Sequence, residues 1–264
     1  MIKFFRKIRQ NLLTENKFSK YLLYAIGEIV LVVIGILIAL QINNWNENRK
    51  DRQQERVLLK QLQSEFQSNL EQLDQKIQLR KSMVKGAIKL LNYIDHPEQR
   101  NPDSVLYYIP VTQLNPTFDP IVNDLVSTDR IQLIRNQNLK EKLSSWTSEI
   151  VQVTEEEVVW VNFRANSYRP YLFEKIPMRS ITNQFWKSQL IKTFHLDNDV
   201  ETNFILGDSQ KEINVDELLD DVKFEGYMAE CASVAEALNS QSYSLRERIV
   251  EILTIINSEL QKSL

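Results

Sequence analysis

Residues 21–42, which read YLLYAIGEIVLVVIGILIALQI, form an apolar segment with a single charged residue, Glu28. These 22 residues would extend about 33 Å as an α-helix, enough to cross the hydrocarbon core of a bilayer. Aromatic residues favour the membrane interfaces, and Tyr21, Tyr24 and Trp45 stand near the two ends of the segment. A cleavable signal peptide would have a shorter apolar core and a small-x-small cleavage site, which the following LQINNW does not offer. We therefore predict an uncleaved transmembrane helix.

The charges on either side of this segment predict its orientation. Six basic residues precede it against one acidic residue, and four basic residues follow it within residues 43–57. The positive-inside rule then places residues 1–20 in the cytoplasm and residues 43–264 in the periplasm, beyond the inner membrane. Residues 1–20 would contact anionic lipid, either as an amphipathic surface helix or as an unstructured basic tag. The lipid-facing basic residues would be Lys3, Arg6, Lys7, Arg9, Lys17 and Lys20.

Composition excludes several classes for the remaining chain. Residues 43–264 carry 26 basic and 33 acidic side chains, so a nucleic acid partner is not expected. One cysteine and two histidines in the whole chain argue against disulfide-stapled and zinc-ribbon folds. Only three glycines occur after residue 42, which argues against a Gly-rich nucleotide-binding fold and favours long helices.

A heptad pattern predicts a long helix over residues 44–94. The a positions are Gln63, Leu70, Ile77, Val84 and Leu91, and the d positions are Leu59, Phe66, Leu73, Arg80, Ala87 and Ile94. All but Gln63 and Arg80 are apolar, which indicates a packed seam. Either a coiled coil between chains or other helices of the same chain would cover that seam.

The rest of the sequence predicts further helices and one extended segment. Residues 104–113 suggest extended structure, and residues 121–126 a short helix. A longer helix should begin at a cap on Asn136 or Asn138, with Glu141 completing a capping box to Asn138, and continue to Phe163 or beyond before Pro170 stops it. Residues 185–194 predict another short helix, and residues 215–260 a final helix with a break near Gly226.

These elements predict an all-α protein. A single N-terminal transmembrane helix would continue into a long helix of an antiparallel, extracytoplasmic helical bundle. The predicted organisation is a basic cytoplasmic segment over residues 1–20, a transmembrane helix over 21–42 and a periplasmic helical bundle domain over 43–264.

The N-terminal residues MIKFFRKIRQNLL, followed by YAIGEIVLVVIGILIALQINNWNE, resemble the signature of a family of uncharacterised Bacteroidota membrane proteins. That family is known only as a domain of unknown function. A weaker similarity extends to STDRIQLIRNQNLKEKL and to EILTIINSEL. The resemblance implies a Bacteroidota envelope protein and supplies no catalytic residues.

The sequence offers no convincing catalytic, cofactor-binding or metal-ligating set. His96 and His195 have no partner at ligand spacing, and Cys231 among small apolar residues suggests a buried thiol. The acidic residues from Asp197 to Asp208 depart from the calcium-loop pattern at its sixth and twelfth positions. The run Glu155, Glu156 and Glu157 suggests a solvated helix face. We therefore expect a protein that is not an enzyme and has no cofactor.

One face of the predicted span is different from the others. At 100° per residue its members lie within about 40° of one direction, and they are Tyr21, Tyr24, Glu28, Gly35, Ala39 and Asn46. Gly35 and Ala39 form a small-xxx-small pair that permits close helix approach, and a carboxylate within a span usually faces protein. Tyr24, Glu28, Gly35 and Ala39 thus predict a helix-partner face. The other interpretation is a protonated or snorkelling Glu28, paired with Lys17 or Lys20.

Three functions remain on this basis. The first is an inner-membrane-anchored periplasmic interaction module, a scaffold or a sensor, which forms a homo-oligomer or binds another membrane protein through its span. The second is a single-span subunit of an ion-coupled envelope complex, with Glu28 as the intramembrane carboxylate. The third is a small-molecule-binding sensor that acts through a partner.

Overall fold

The computed structural model describes residues 18–121, 129–188 and 204–262. Helices account for 86% of these residues and no strand occurs among them. The prediction of an all-α protein that begins with a long apolar helix is therefore confirmed.

The first helix, α1, runs from Phe18 to Asp95 without a break. It contains an 18-residue window with a mean hydropathy of 2.6, so it is long and apolar enough to cross a membrane. The side chains of residues 29–54 are all exposed in the single chain. By length and composition, the apolar window of α1 is therefore a candidate membrane span.

The chain divides into two compact units, Met1–Val57 and Leu58–Leu264. The described residues of the first unit all belong to α1. The second unit contains the rest of α1 and six further helices among the described residues, with the bounds α2 Pro102–Thr112, α3 Gln137–Phe163, α4 Arg169–Lys175, α5 Met178–Lys187, α6 Val215–Leu219 and α7 Val222–Lys262. A π turn, Arg164–Tyr168, joins α3 to α4. Short 3₁₀ turns follow α1 and precede α3.

The second unit has two separate apolar cores. The first core surrounds Trp146 and joins residues 58–77 of α1 to α3 and to the C-terminal part of α7. The second core joins the end of α1 to α2, α4, α5, α6 and the start of α7 around Tyr168. The heptad seam of α1 lies in these cores, so helices of the same chain cover it. Its buried apolar members are Leu59, Phe66, Leu73, Ile77 and Ala87.

A buried polar layer lies between the two cores. Arg80 of α1 donates hydrogen bonds to Oγ of Ser242 at 2.7 Å, to the carbonyl oxygen of Pro116 at 2.9 Å and to the carboxylate of Glu157. The second oxygen of Glu157 accepts the backbone N–H of Phe118 at 2.8 Å. On α1, α3 and α7 alike, the polar residue stands between neighbours that belong to different cores. Arg80, one of the two residues that interrupt the apolar heptad pattern, is therefore the hydrogen-bond donor that links the other groups of this layer.

This layer corrects the interpretation of the acidic run at residues 155–157. Glu157 is 3% exposed rather than solvated, because α3 turns it towards Arg80. Burial penalises both charged forms, so it raises the pKa of the Glu157 carboxyl and lowers the pKa of the Arg80 guanidinium. The buried charges are nevertheless paired and hydrogen-bonded, which is the arrangement that makes buried charges tolerable.

The stretch predicted to be extended, residues 104–113, is helical, so that prediction was wrong. Asn101 caps α2, and its side chain accepts the backbone N–H of Ser104 at 3.0 Å. Pro102 occupies the first turn, where its missing N–H costs nothing. Val105 and Ile109, one helical turn apart, are both fully buried in the second core. The cap and this burial outweigh the strand preference of the β-branched and aromatic residues.

Other predicted boundaries move by a few residues. Asn136 caps α3 by accepting the N–H of Leu139 at 3.0 Å. The helix therefore does not begin at Asn138, the residue that the predicted capping box with Glu141 required as its cap. The helix predicted over 185–194 begins instead at Met178, and its last predicted residues lie outside the described ranges, as do residues 122–126. The final helix is interrupted between α6 and α7 at residues 220–221, and α7 continues through Gly226.

We expect residues 51–264 to fold without the preceding apolar segment. Every residue of both cores lies at or after Leu58, and Asp51 would place an acidic side chain at the new helix N-terminus. Far-UV circular dichroism should show an almost purely helical protein that unfolds cooperatively. A large strand signal, or gradual unfolding without a transition, would contradict this expectation.

Candidate functional site

The structure places the predicted helix-partner face on α1. Glu28 is half-buried, whereas Gly35 and Ala39 are exposed. A side-chain carbon added at Gly35 would meet nothing within 4 Å. Tyr24 lies in the same helix. The helical spacing therefore keeps these four residues near one direction, with open space at the small residues.

The predicted lipid-facing basic residues fall mostly beyond the described ranges. Lys3, Arg6, Lys7, Arg9 and Lys17 lie outside them, and Lys20 lies in the first turn of α1. Their contact with lipid stays a prediction.

A second candidate site lies within the second unit, and it starts from the π turn. The sequence pattern predicted that Pro170 would stop the helix, but the chain continues through a π turn into α4. The N–H of Arg169 donates to the carbonyl oxygen of Arg164, five residues earlier. In a regular α-helix these two residues would lie about 140° apart, whereas in the wider turn this backbone hydrogen bond joins them. π turns are frequent at functional sites.

The two arginines border a cleft of about 400 Å³. Its walls come from the end of α2, the loop after it, the π turn, α4 and α5. Several of its lining side chains are apolar or aromatic, and the lining residues are Pro110, Gln113, Leu114, Asn115, Arg164, Arg169, Met178, Ile181, Thr182, Phe185 and Trp186. Among the residues that the structure describes, no acidic residue lines this cleft. Its volume is in the range typical of small-molecule sites.

The described lining of this cleft carries a net positive charge. Within the described ranges, neither Arg164 nor Arg169 forms an ion pair with a carboxylate. Burial, and secondly the positive charge of Arg169, lower the pKa of the Arg164 guanidinium. Its Nη1 donates only a long hydrogen bond of 3.4 Å to the carbonyl oxygen of Gln113. The Arg169 guanidinium lies 5.7 Å from the centre of the Phe173 ring.

The remaining candidates do not form a catalytic arrangement within the described ranges. Cys231 is fully buried and its Sγ lies 3.6 Å from the carbonyl oxygen of Thr112, which confirms the buried thiol. Burial raises the pKa of this thiol to about 12, so it is protonated at neutral pH. His96 is exposed and faces Glu98 at 3.7 Å. Residue His195 and the acidic residues at 197–201 lie outside the described ranges, whereas Asp208 binds Asn183 and Lys187.

Sequence reasoning missed the arginine cleft. The two arginines are five residues apart, which is not a helical repeat, and Pro170 suggested an ending rather than a wider turn. The one available signal was the pair of basic residues in FRANSYRP within an acidic domain. That signal does not reveal which side chains of α2 and α5 complete the cleft, because those contacts join distant parts of the chain.

Comparison with known proteins gives a match to a protein family over part of the chain. Residues 28–95, most of α1, match the model of a family of unknown function, DUF6090. No curated protein and no solved structure matches the chain significantly. The matched residues cover the candidate span and the seam of α1, so over this segment the chain is similar to an uncharacterised family.

Proposed function

We propose that this chain is an inner-membrane-anchored helical module that works by association, as a scaffold or a sensor in an envelope complex, and not by catalysis. The orientation follows from the basic residues before the span, so the second unit would lie in the periplasm. The observation that carries the proposal is the face of α1 formed by Tyr24, Glu28, Gly35 and Ala39.

This face is chemically distinct from the rest of the span. The other positions of residues 25–42 are almost all Ile, Leu, Val or Ala, which lipid accommodates without a protein partner. Glu28 is the one charged residue in that stretch, and a carboxylate costs a few kcal/mol within a span unless protein or water surrounds it. A face that combines this carboxylate with two small residues is typical of helix association.

The partner that binds this face is a second copy of the chain. The open space at Gly35 lets two identical helices approach closely at the same position, which gives a closed, self-complementary contact. The basic residues of the N-terminal segment would hold both copies against anionic lipid.

Replacing Gly35 by leucine should weaken the dimer by about tenfold or more, because the larger side chain keeps the helices apart. The matched control is Gly27→Leu: Gly27 also has nothing within 4 Å, but it lies about 80° from Gly35 around the helix. Native mass spectrometry or energy transfer in lipid nanodiscs would measure the monomer–dimer equilibrium. A wild-type monomer, or an equal effect of both variants, would contradict the proposal.

The same preparation tests the ion-coupled alternative, which rests on Glu28. A stoichiometric multi-span partner that copurifies with the wild type would favour that alternative. It further requires that Glu28→Gln abolishes activity in cells while the protein remains folded and membrane-inserted. A normal phenotype of this variant would reject it.

A further inference from the structure

The arginine cleft between α2, the π turn and α5 combines two guanidinium groups with an apolar wall. Arg164 and Arg169 both belong to its lining, and so do the apolar and aromatic side chains of Met178, Phe185 and Trp186. Trp186 also packs against Phe204, with ring centres 4.9 Å apart. The lining thus combines positive charge with apolar surface.

Among the described residues, the two arginines of the cleft lack the carboxylate partners that stabilise several other arginines of this chain. Arg100 binds Asp216 and Asp220, Arg246 binds Asp74, and Arg80 binds Glu157. By contrast, within the described part of the chain Arg164 and Arg169 contact no carboxylate and raise each other's electrostatic energy. Nε of Arg164 is also buried without a hydrogen-bond acceptor there. Two adjacent guanidinium groups favour a carboxylate or phosphate, which they bind through paired, charge-assisted hydrogen bonds.

The size of the cleft limits the ligand. A cavity of about 150 Å³ accepts a benzene ring, and this cleft has a volume of about 400 Å³. A molecule of about ten to fifteen non-hydrogen atoms would therefore fill it. The side-chain amide of Asn115, whose Oδ1 is buried without a hydrogen-bond partner among the described atoms, adds a polar group to the same lining.

We propose that this cleft binds a small amphipathic anion, whose carboxylate or phosphate contacts Arg164 and Arg169 and whose apolar chain or ring lies against Met178, Phe185 and Trp186. The anion removes the repulsion between the two guanidinium groups, and the apolar body removes the aromatic wall from water. This binding site is independent of association through the span.

The test uses the full chain in phosphatidylcholine nanodiscs, titrated by isothermal calorimetry with empty nanodiscs as the blank. The probes are decanoate and 2-naphthoate, each compared with its own neutral carboxamide. At least one carboxylate should bind saturably, and about tenfold or more tighter than its amide, because hydrogen bonds to a charged acceptor are stronger than those to a neutral one. Preference for decanoate would identify an acyl-chain ligand, and preference for 2-naphthoate a compact aromatic acid.

Two variants and one control assign the binding to this cleft. Arg169→Gln, at an exposed position, should weaken carboxylate binding by about tenfold or more, and Thr182→Trp should abolish it by filling the space. The control, Arg248→Gln, removes an equally charged side chain elsewhere on the surface and should leave binding unchanged. Circular dichroism confirms that each variant is folded. The proposal is overturned if neither carboxylate binds above the blank, if amides bind equally well, or if Arg169→Gln binds like the wild type.

Discussion

Replacing Arg80 by alanine should lower the free energy of unfolding by about 3–5 kcal/mol. The Arg80 side chain is fully buried and serves three acceptors from three other parts of the chain. Its removal leaves Glu157 as a buried carboxylate whose one remaining hydrogen bond among the described residues comes from the N–H of Phe118. Because a folded domain is stable by only about 5–15 kcal/mol, this single change should remove a large part of the total.

A matched pair of controls separates charge burial from loss of contact. Arg246→Ala breaks the ion pair with Asp74, in which both side chains are about two-fifths exposed, and should cost only about 0–1 kcal/mol. The double variant Arg80→Met, Glu157→Leu should recover most of the loss, since it leaves no unpaired buried charge. Urea unfolding of the full chain in mild detergent, followed by circular dichroism, measures all of them. If Arg80→Ala cost no more than Arg246→Ala, the importance of the polar layer would be refuted.

Trp146→Ala should destabilise the second unit by about 3–5 kcal/mol, because it removes the largest side chain of the first core. Trp146 is fully buried and packs against Phe66 with ring centres 4.9 Å apart. The surrounding helices cannot collapse fully into the space that the indole leaves, so the cost exceeds the loss of apolar burial alone. The same urea experiment measures the change.

The conservative replacements of two tryptophans provide the control for this second prediction. Nε1 of Trp160 donates to the carbonyl oxygen of Leu114 at 2.9 Å, whereas Nε1 of Trp146 has no hydrogen-bond partner among the described atoms. Trp160→Phe should therefore cost about 1–3 kcal/mol more than Trp146→Phe, since it leaves a buried carbonyl without a donor. The reverse order would show that ring packing, and not the hydrogen bond, dominates at Trp160.

The helical class and the seam of α1 could be predicted because both follow from repeating local patterns. Apolar residues at heptad spacing require cover, and the structure supplies it from α3 and α7. The pattern also isolated Arg80 as an exception. Its partner could not be predicted, because Glu157 stands beside two exposed glutamates and only the packing of α3 distinguishes them.

Two errors of sequence reasoning have physical explanations. Residues 104–112 have strand-forming side chains but are helical, because a cap at Asn101 and the burial of Val105 and Ile109 decide the outcome. Pro170 was expected to end a helix, yet it is accommodated in the first turn of α4 after the chain has widened into the π turn. In the first case capping and burial outweigh the strand preference, and in the second a local change of helix type accommodates the proline.

The buried polar layer also restricts how the bundle can move. Sliding α1 past α3 by one turn would shift Arg80 by about 5.4 Å along the helix axis, which would carry it away from Glu157 and into an apolar core. Such a displacement would expose two uncompensated charges to an environment that cannot solvate them. The polar layer therefore opposes piston-like motions of α1 within this unit. The movements that remain open to α1, α3 and α7 are rotations and bends that keep the guanidinium and the carboxylate together.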